Sequence, residues 1–278
     1  MTDFQCGRFR FSLGNNGSRP LVMGILNITP NSFSDGGQYL SSSFALKHAE
    51  QMIAAGVDII DIGGESSRPG SEPVSLQEEL DRVLPIIEAL KDCGKPLSID
   101  TYKPETMKAV LEAGADMIND ICGFQSEASR QAVAGSSCGL CIMHMQGNPK
   151  TMQDKPSYQD VIGEVTAFLA KQVDELTQSG IARERMVIDP GFGFGKTKED
   201  NIQLLKNMAG LEKNLGLPVL AGLSRKTLIG QITGKPIEKR LAGSLAIALA
   251  AAENGATILR VHDVDETVDA LKIWQAVH

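Results

Sequence analysis

Eight short apolar runs punctuate the chain, and nearly every one ends in a polar residue able to do chemistry. Val22–Leu26 runs into Asn27, Val57–Ile62 into Gly63-Gly64-Glu65, Pro96–Ile99 into Asp100, and Asp116–Ile118 into Asn119-Asp120. Leu140–Met143 runs into His144 and Met186–Ile188 into Asp189. Pro218–Leu220 leads to Gly222 and Ser224-Arg225-Lys226, and Thr257–Leu259 to Arg260 and His262. Between the runs the periodicity is helical, at Ser43–Ala55, Leu76–Lys91, Pro104–Ala113, Glu127–Ala134, Tyr158–Ser179, Lys198–Leu215, Glu238–Asn254 and Val264–Ala276. Gly56, Gly114, Gly180 and Gly255 each follow a helix and precede a strand, where a left-handed cap is expected.

Eight β-α units predict an α/β fold, a closed parallel (β/α)8 TIM barrel whose strands all deliver their carboxyl ends to one face. That face gathers Asp100, Asp120, Asp189, Asn27, Asn119, His144, His262, Arg260 and Lys226. So costly a ring points to a site rather than a scaffold. Residues 4–13 alternate (Phe4, Cys6, Phe9, Phe11, Leu13) before Gly14-Asn15-Asn16-Gly17, which predicts an N-terminal hairpin closing the barrel's bottom. The stretches Thr29–Tyr39 and Gly63–Pro73, about 11 residues each, exceed the usual ~2–6 of βα loops and read as functional loops.

Barrels of this type occupy ~250 residues, so the 278 residues read as one domain, 1–278, with 1–20 as the hairpin extension. A net charge of -7 argues against a nucleic-acid or anionic-membrane partner. No run approaches the ~20 apolar residues of a membrane helix, and no signal-peptide pattern opens the chain, so a cytoplasmic location is expected. The five cysteines are odd in number and scattered. Cys138-Gly139-Leu140-Cys141 has C-x-x-C spacing but lacks a second zinc pair and enters a strand rather than a helix, so two partly buried, inert thiols are expected.

Pro190 stands where a Walker A loop needs glycine, so Pro190–Thr197 is not a nucleotide loop. Its glycines let backbone pass close to a flat ligand or turn above the strand. Ser224-Arg225-Lys226-Thr227 opens a helix and suits a small anion such as a carboxylate. Arg260 and His262 alternate to one side, a pairing suited to phosphate or pyrophosphate. Asp100, Asn119 and Asp189 suit a heterocycle rich in N–H donors; a carboxylate cage for Mg²⁺, or Asp100 as a cap before Pro104, are the alternatives. Asn27 and Asp35 offer hard oxygens, although Ser34-Asp35-Gly36-Gly37 is also good turn chemistry. His144, between methionines, reads as structural.

These stretches together resemble the dihydropteroate synthase family. The resemblance rests on Met23–Gly37 and Asp61–Gly70, with Ser98–Thr101, Ile118–Asp120, Met143–Gly147, Asp189–Lys196, Ser224–Lys226 and Arg260–His262 following in the family's order. It implies condensation of (7,8-dihydropterin-6-yl)methyl diphosphate with 4-aminobenzoate, giving 7,8-dihydropteroate and diphosphate with Mg²⁺, in tetrahydrofolate biosynthesis. By the resemblance, Asp100, Asn119, Asp189 and Lys226 hold the pterin. Asn27 binds Mg²⁺ beside the diphosphate, and Ser67, Arg68, Arg260 and His262 contact the diphosphate. Phe33, Arg68, Pro69, Lys226 and Thr227 frame 4-aminobenzoate. Asp35, Arg68, Lys226, Arg260 and His262 are the catalytic candidates. Ser67 departs from the family's usual Thr, and Thr227 from its common Ser; both keep the hydroxyl.

The implied chemistry is a dissociative substitution by an already neutral arylamine, with cations stabilising the departing diphosphate. Sulfonamides are the expected inhibitors. A pterin-binding methyltransferase module and a non-catalytic pterin carrier are the rival readings. Leu245–Ala252 is apolar nearly all round, which predicts burial on most sides and a homodimer.

Overall fold

Each apolar run pairs with its neighbour because the helix between them returns the chain to the same end of the sheet. The computed structural model describes residues 2–14, 18–28, 37–66, 70–148 and 150–277. An antiparallel hairpin, β1 (Thr2–Cys6) and β2 (Phe9–Leu13), precedes the strands β3 (Leu21–Asn27), β4 (Ile59–Gly63), β5 (Leu97–Asp100) and β6 (Met117–Asp120). The remaining strands are β7 (Gly139–Met143), β8 (Met186–Asp189), β9 (Leu220–Ala221) and β10 (Ile258–Val261). Parallel pairing runs in the order β8-β7-β6-β5-β4-β3-β10-β9. A single bridge between Ile188 and Val219, with Ile188 N–H donating to Pro218 O at 2.9 Å, closes the remaining seam.

The helices outside this ring are α1 (Gly37–Ala55), α2 (Leu76–Leu90), α3 (Pro104–Glu112), α4 (Glu127–Ala134) and α5 (Val161–Gln178). They continue with α6 (Lys198–Lys206), α7 (Met208–Leu215), α8 (Thr227–Thr233), α9 (Leu241–Glu253) and α10 (Val264–Val277). The four expected glycine terminators all have positive φ, at Gly56, Gly114, Gly180 and Gly255.

Four helices differ from expectation, the first of them in starting at Gly37 rather than Ser43. Lys198–Leu215 breaks in two at Asn207, whose side-chain amide donates to Gln203 O at 2.8 Å and competes with the helical ladder. The helix expected from Tyr158 starts at Val161, because Glu164 Oε1 reaches back to the N–H groups of Gln159 and Asp160. Tyr158 instead donates its hydroxyl to Gly195 O at 2.8 Å. The stretch expected from Glu238 opens as a 3-10 turn, Ile237–Lys239, before α9.

Strand alternation sorts the apolar side chains into two bodies. Val22, Leu26, Ile60, Ile62, Ile99 and Ile118 face outward into the main core with the helices. Met23, Ile59, Met117, Val187, Leu220 and Ile258 face inward, near the strands' amino ends, and meet Phe4 and Cys6 of the hairpin. The hairpin therefore plugs the barrel's bottom, pinned by Arg8 Nε on Asp116 Oδ1 at 3.2 Å. Two residues further along five of these six inward faces stand Asp61, Asn119, Asp189, Gly222 and Arg260, with Ile25 on the sixth, so the period-2 rule that builds the plug also builds a largely polar floor above it.

Candidate active site

The floor is an ionic network around Arg260. Its Nε donates to Asp61 Oδ2 at 2.6 Å and its Nη2 to Asp100 Oδ2 at 2.7 Å. Asn119 Nδ2 donates to the same Asp61 oxygen at 3.3 Å. Asp61 is wholly buried, so its charge is tolerable only because the guanidinium meets it. Burial raises the Asp100 carboxyl to about 7, against the lowering pull of Arg260. The cap reading for Asp100 fails, since Lys103 N–H takes Thr101 Oγ1 at the start of α3.

Above the floor lies a cavity of about 600 Å³ whose wall includes Asn27, Lys226, Thr227, Arg260 and His262. Lys226 leaves β9 and enters it with its ammonium 4.6 Å from the centre of the Phe194 ring, donating to Phe192 O. Desolvation lowers its pKa to about 8, opposed by Asp189. Asp189 accepts Gly191 N–H at 2.7 Å through Oδ1, and burial raises its carboxyl. A Cβ built on Gly222 would sit 3.8 Å from Lys226 Nζ and 3.9 Å from Asp189 Oδ2 and from Arg260 Cβ, so the three converge on one point. His262 Nδ1 lies 3.1 Å from Ser224 Oγ, which also accepts the His262 N–H.

All seven strand-end candidates thus meet, but at two depths. Asn27, Lys226, Arg260 and His262 wall the cavity, whereas Asp100, Asn119 and Asp189 lie beneath, joined to it by Arg260 and the Gly222 opening. Two donors of Arg260 already serve carboxylates, so its fork is not free for a diphosphate as the strand pattern suggested. Phe33, Asp35, Ser67, Arg68 and Pro69 lie outside the described residues, as do parts of both long loops.

Other members of the expected ring point elsewhere. Asp120 turns outward and caps its own turn, accepting the N–H groups of Cys122 and Phe124 at 2.7 and 2.8 Å. His144 packs edge-on against Phe168 at 4.9 Å, and desolvation then Lys196 lower its pKa to about 3, so it is a neutral structural group. Cys138 and Cys141 are fully rather than partly buried, and burial raises both thiols. Gly191 and Gly195 permit close backbone approach, a Cβ there lying 1.8 Å from His144 O and 2.5 Å from Gln146 O, whereas a Cβ on Gly193 would meet the Lys226 stem.

Sequence reasoning gave no role to Asp61, Lys196 or Arg240. Asp61 had a signal, a lone carboxylate inside the run Ile59-Ile60-Asp61-Ile62 at an inward position. Arg240 had none, because only the fold brings its guanidinium to the carbonyls of Arg225 and Lys226, at 3.0 and 3.3 Å.

Residues 23–262 match the model of the pterin binding enzyme family. The chain is 49% identical over 260 residues to a dihydropteroate synthase of Escherichia coli (strain K12), covering 93% of this chain and 92% of the relative. The crystal structure of Burkholderia cenocepacia dihydropteroate synthase complexed with 7,8-dihydropteroate superposes with a TM-score of 0.89 at 49% identity, over 99% of this chain and 96% of that one. The Yersinia pestis enzyme with a sulfonamide drug gives 0.91 at 45% identity, over 99% and 98%. With the strand-end residues gathered on one barrel face, the chain belongs to the pterin-binding enzymes, among the dihydropteroate synthases.

Proposed function

We propose that the cavity condenses (7,8-dihydropterin-6-yl)methyl diphosphate with 4-aminobenzoate, giving 7,8-dihydropteroate and diphosphate in folate biosynthesis. The observation that carries this reading is a half-buried ammonium in a cavity that lies above a floor of carboxylates and an amide tied together by Arg260. Asp100, Asn119 and Asp189 suit the N–H edge of a pterin, each charge-assisted bond contributing ~1.5–3 kcal/mol. Lys226 and Thr227, with the first turn of α8, suit the aminobenzoate carboxylate. His262 and Asn27 stand on the wall where a diphosphate would lie; Ser67 and Arg68 remain diphosphate candidates by the family resemblance.

The C–O bond breaks first, its electron pair leaving with diphosphate while the reduced pterin ring spreads the positive charge. The neutral arylamine then forms the C–N bond and gives up its proton. Arg68 and a bound Mg²⁺ would supply the positive charge that meets the departing diphosphate.

The residues present fit an Mg²⁺ ion of the substrate-bound kind. Among the described residues no three or more His, Cys, Asp or Glu side chains are grouped to hold a metal. Such an ion uses one or two protein oxygens and fills the rest of its shell from phosphates and water. Asn27 Oδ1 would hold it, and the ion would neutralise diphosphate oxygens.

Sulfonamides would compete at the aminobenzoate end. A second copy of the chain would cover the exposed Ile232, Ile237 and Leu241, which lie on or beside the successive α8, 3-10 turn and α9. A diphosphate-release assay run with and without 4-aminobenzoate and Mg²⁺ tests the function. Release that needs both supports it. Absence of aminobenzoate-dependent release would leave the carrier or methyltransferase reading.

A further inference from the structure

Lys196 is a lysine the reaction does not use, yet only 3% of it is exposed. Its ammonium lies 2.9 Å from Gly191 O, 2.9 Å from His144 Nδ1, 3.1 Å from Phe194 O and 3.4 Å from His144 O. Three of these partners are carbonyl oxygens and the fourth a ring nitrogen, none is a carboxylate, and burial lowers the pKa of the Lys196 ammonium to about 7. Such a set holds a cation for its donors rather than to neutralise it. Two of the acceptors are the ends of one short loop, Gly191–Phe194, which carries two of the cavity's aromatic side chains.

That loop touches Lys226 at three points. Phe192 O accepts from the ammonium, the Phe194 ring faces it at 4.6 Å, and a Cβ on Gly193 would meet the Lys226 stem at 3.3 Å. The loop's outer side is held independently: Gly193 N–H donates to Asn201 Oδ1 at 2.8 Å, and Tyr158 holds Gly195 O. Lys196 is the inner clamp.

We propose that Lys196 is a positioning residue for the reaction, its buried ammonium drawing Gly191 O and Phe194 O onto His144 so that the loop holds Lys226 in the cavity. The proposal deepens the function given above and rests on it for the importance of Lys226. The geometric link between the two lysines stands without it. The titratable groups around Lys196 are Asp189 on β8, Asp200 on α6, Lys226 after β9 and the neutral His144 after β7. Those around Lys226 are Asp189, Asp100 and Arg260.

Position and electrostatics predict opposite effects at Lys226, which makes the idea testable. Removing a neighbouring cation raises an ammonium's pKa, whereas removing a carbonyl that accepts from it lowers the pKa. Lys196→Met keeps the stem and deletes the donors; Lys196→Gln, which keeps two donors, serves if the first variant does not fold. NMR of carbon-labelled lysine reads the titration of Lys226 directly, its signal assigned by its loss in Lys226→Met. This readout needs no turnover, so failure of the proposed function and failure of this proposal remain separable.

The expected result is a Lys226 titration moved below that of the wild type. KM for 4-aminobenzoate should rise about tenfold or more, the loss of one charge-assisted hydrogen bond. A Lys226 titration unmoved or moved upward in a folded variant overturns the proposal. So would a variant whose melting temperature falls while KM stays at the wild-type value.

Discussion

Arg260→Met removes the one cation that joins Asp61 to Asp100 while leaving most of the side chain's volume. Asp61 is fully buried and Asp100 only 8% exposed, so the variant keeps two carboxylates with no guanidinium between them. Breaking a buried ion pair from one side costs about 3–5 kcal/mol. For a chain of this size each kcal/mol lowers the melting temperature by roughly 2–4 °C, so a fall of about 10 °C is expected at pH 8. The pH dependence carries the sharper prediction. Burial already raises Asp100 to about 7 in the presence of Arg260, whose pull lowers it, so deleting that pull raises it further. An acid whose folded pKa exceeds its unfolded value stabilises the fold fully below the unfolded pKa, and that stability is lost as pH rises through the folded one. The deficit of the variant against wild type should therefore shrink from pH 8 to pH 6 as Asp100 takes up its proton. Differential scanning calorimetry of both proteins at the two pH values is the assay. A fall of less than about 2 °C at pH 8, or a deficit that grows on acidification, would refute the reading of Arg260 as the network's neutralising charge.

Three further variants have defined expected outcomes. Lys226→Met should lower kcat/KM about ten- to a hundredfold, the loss of one charge-assisted bond, as read by diphosphate release. Its folded pKa of about 8 lies below the unfolded ~10.4, so wild-type stability rises between those values; the variant's melting temperature should be flat there and undiminished at pH 7. Gly191→Ala puts a methyl against His144 O at a φ of +70°, a conformation costing about 1–2 kcal/mol before the clash, so urea unfolding should show a lower midpoint together with weakened aminobenzoate binding. Ile232→Asp, at a position 59% exposed, should turn a dimer into monomers on sedimentation without unfolding it; a wild type already monomeric at micromolar concentration would remove the second copy from the account.

The eight runs, the hairpin and the glycine terminators were legible because each is a local pattern: period 2 with a plug on one face, period 3.6 on the outer layer, and a left-handed cap between them. The strand-end residues were legible for the same reason, since alternation decides that Asp189 and Arg260 face inward while Asp120 faces out. Asp120 was read into the ring because it follows an inward Asn119 by a single residue, and one residue is the whole difference between the faces. The break at Asn207 and the late start of α5 turned on side-chain bonds, from Asn207 and Glu164, that compete with helix at a level periodicity does not register.

By itself the sequence determined which residues reach the carboxyl face, since that follows from the pleat of each strand taken alone. Only the tertiary structure decided which of them touch. Arg260 meets Asp61 and Asp100 across 199 and 160 residues of chain, and Lys196 reaches His144 across 52. Those meetings depend on the stagger of strands around the closed ring and on how deep each loop folds back, quantities set by the packing of the whole barrel rather than by any segment of it.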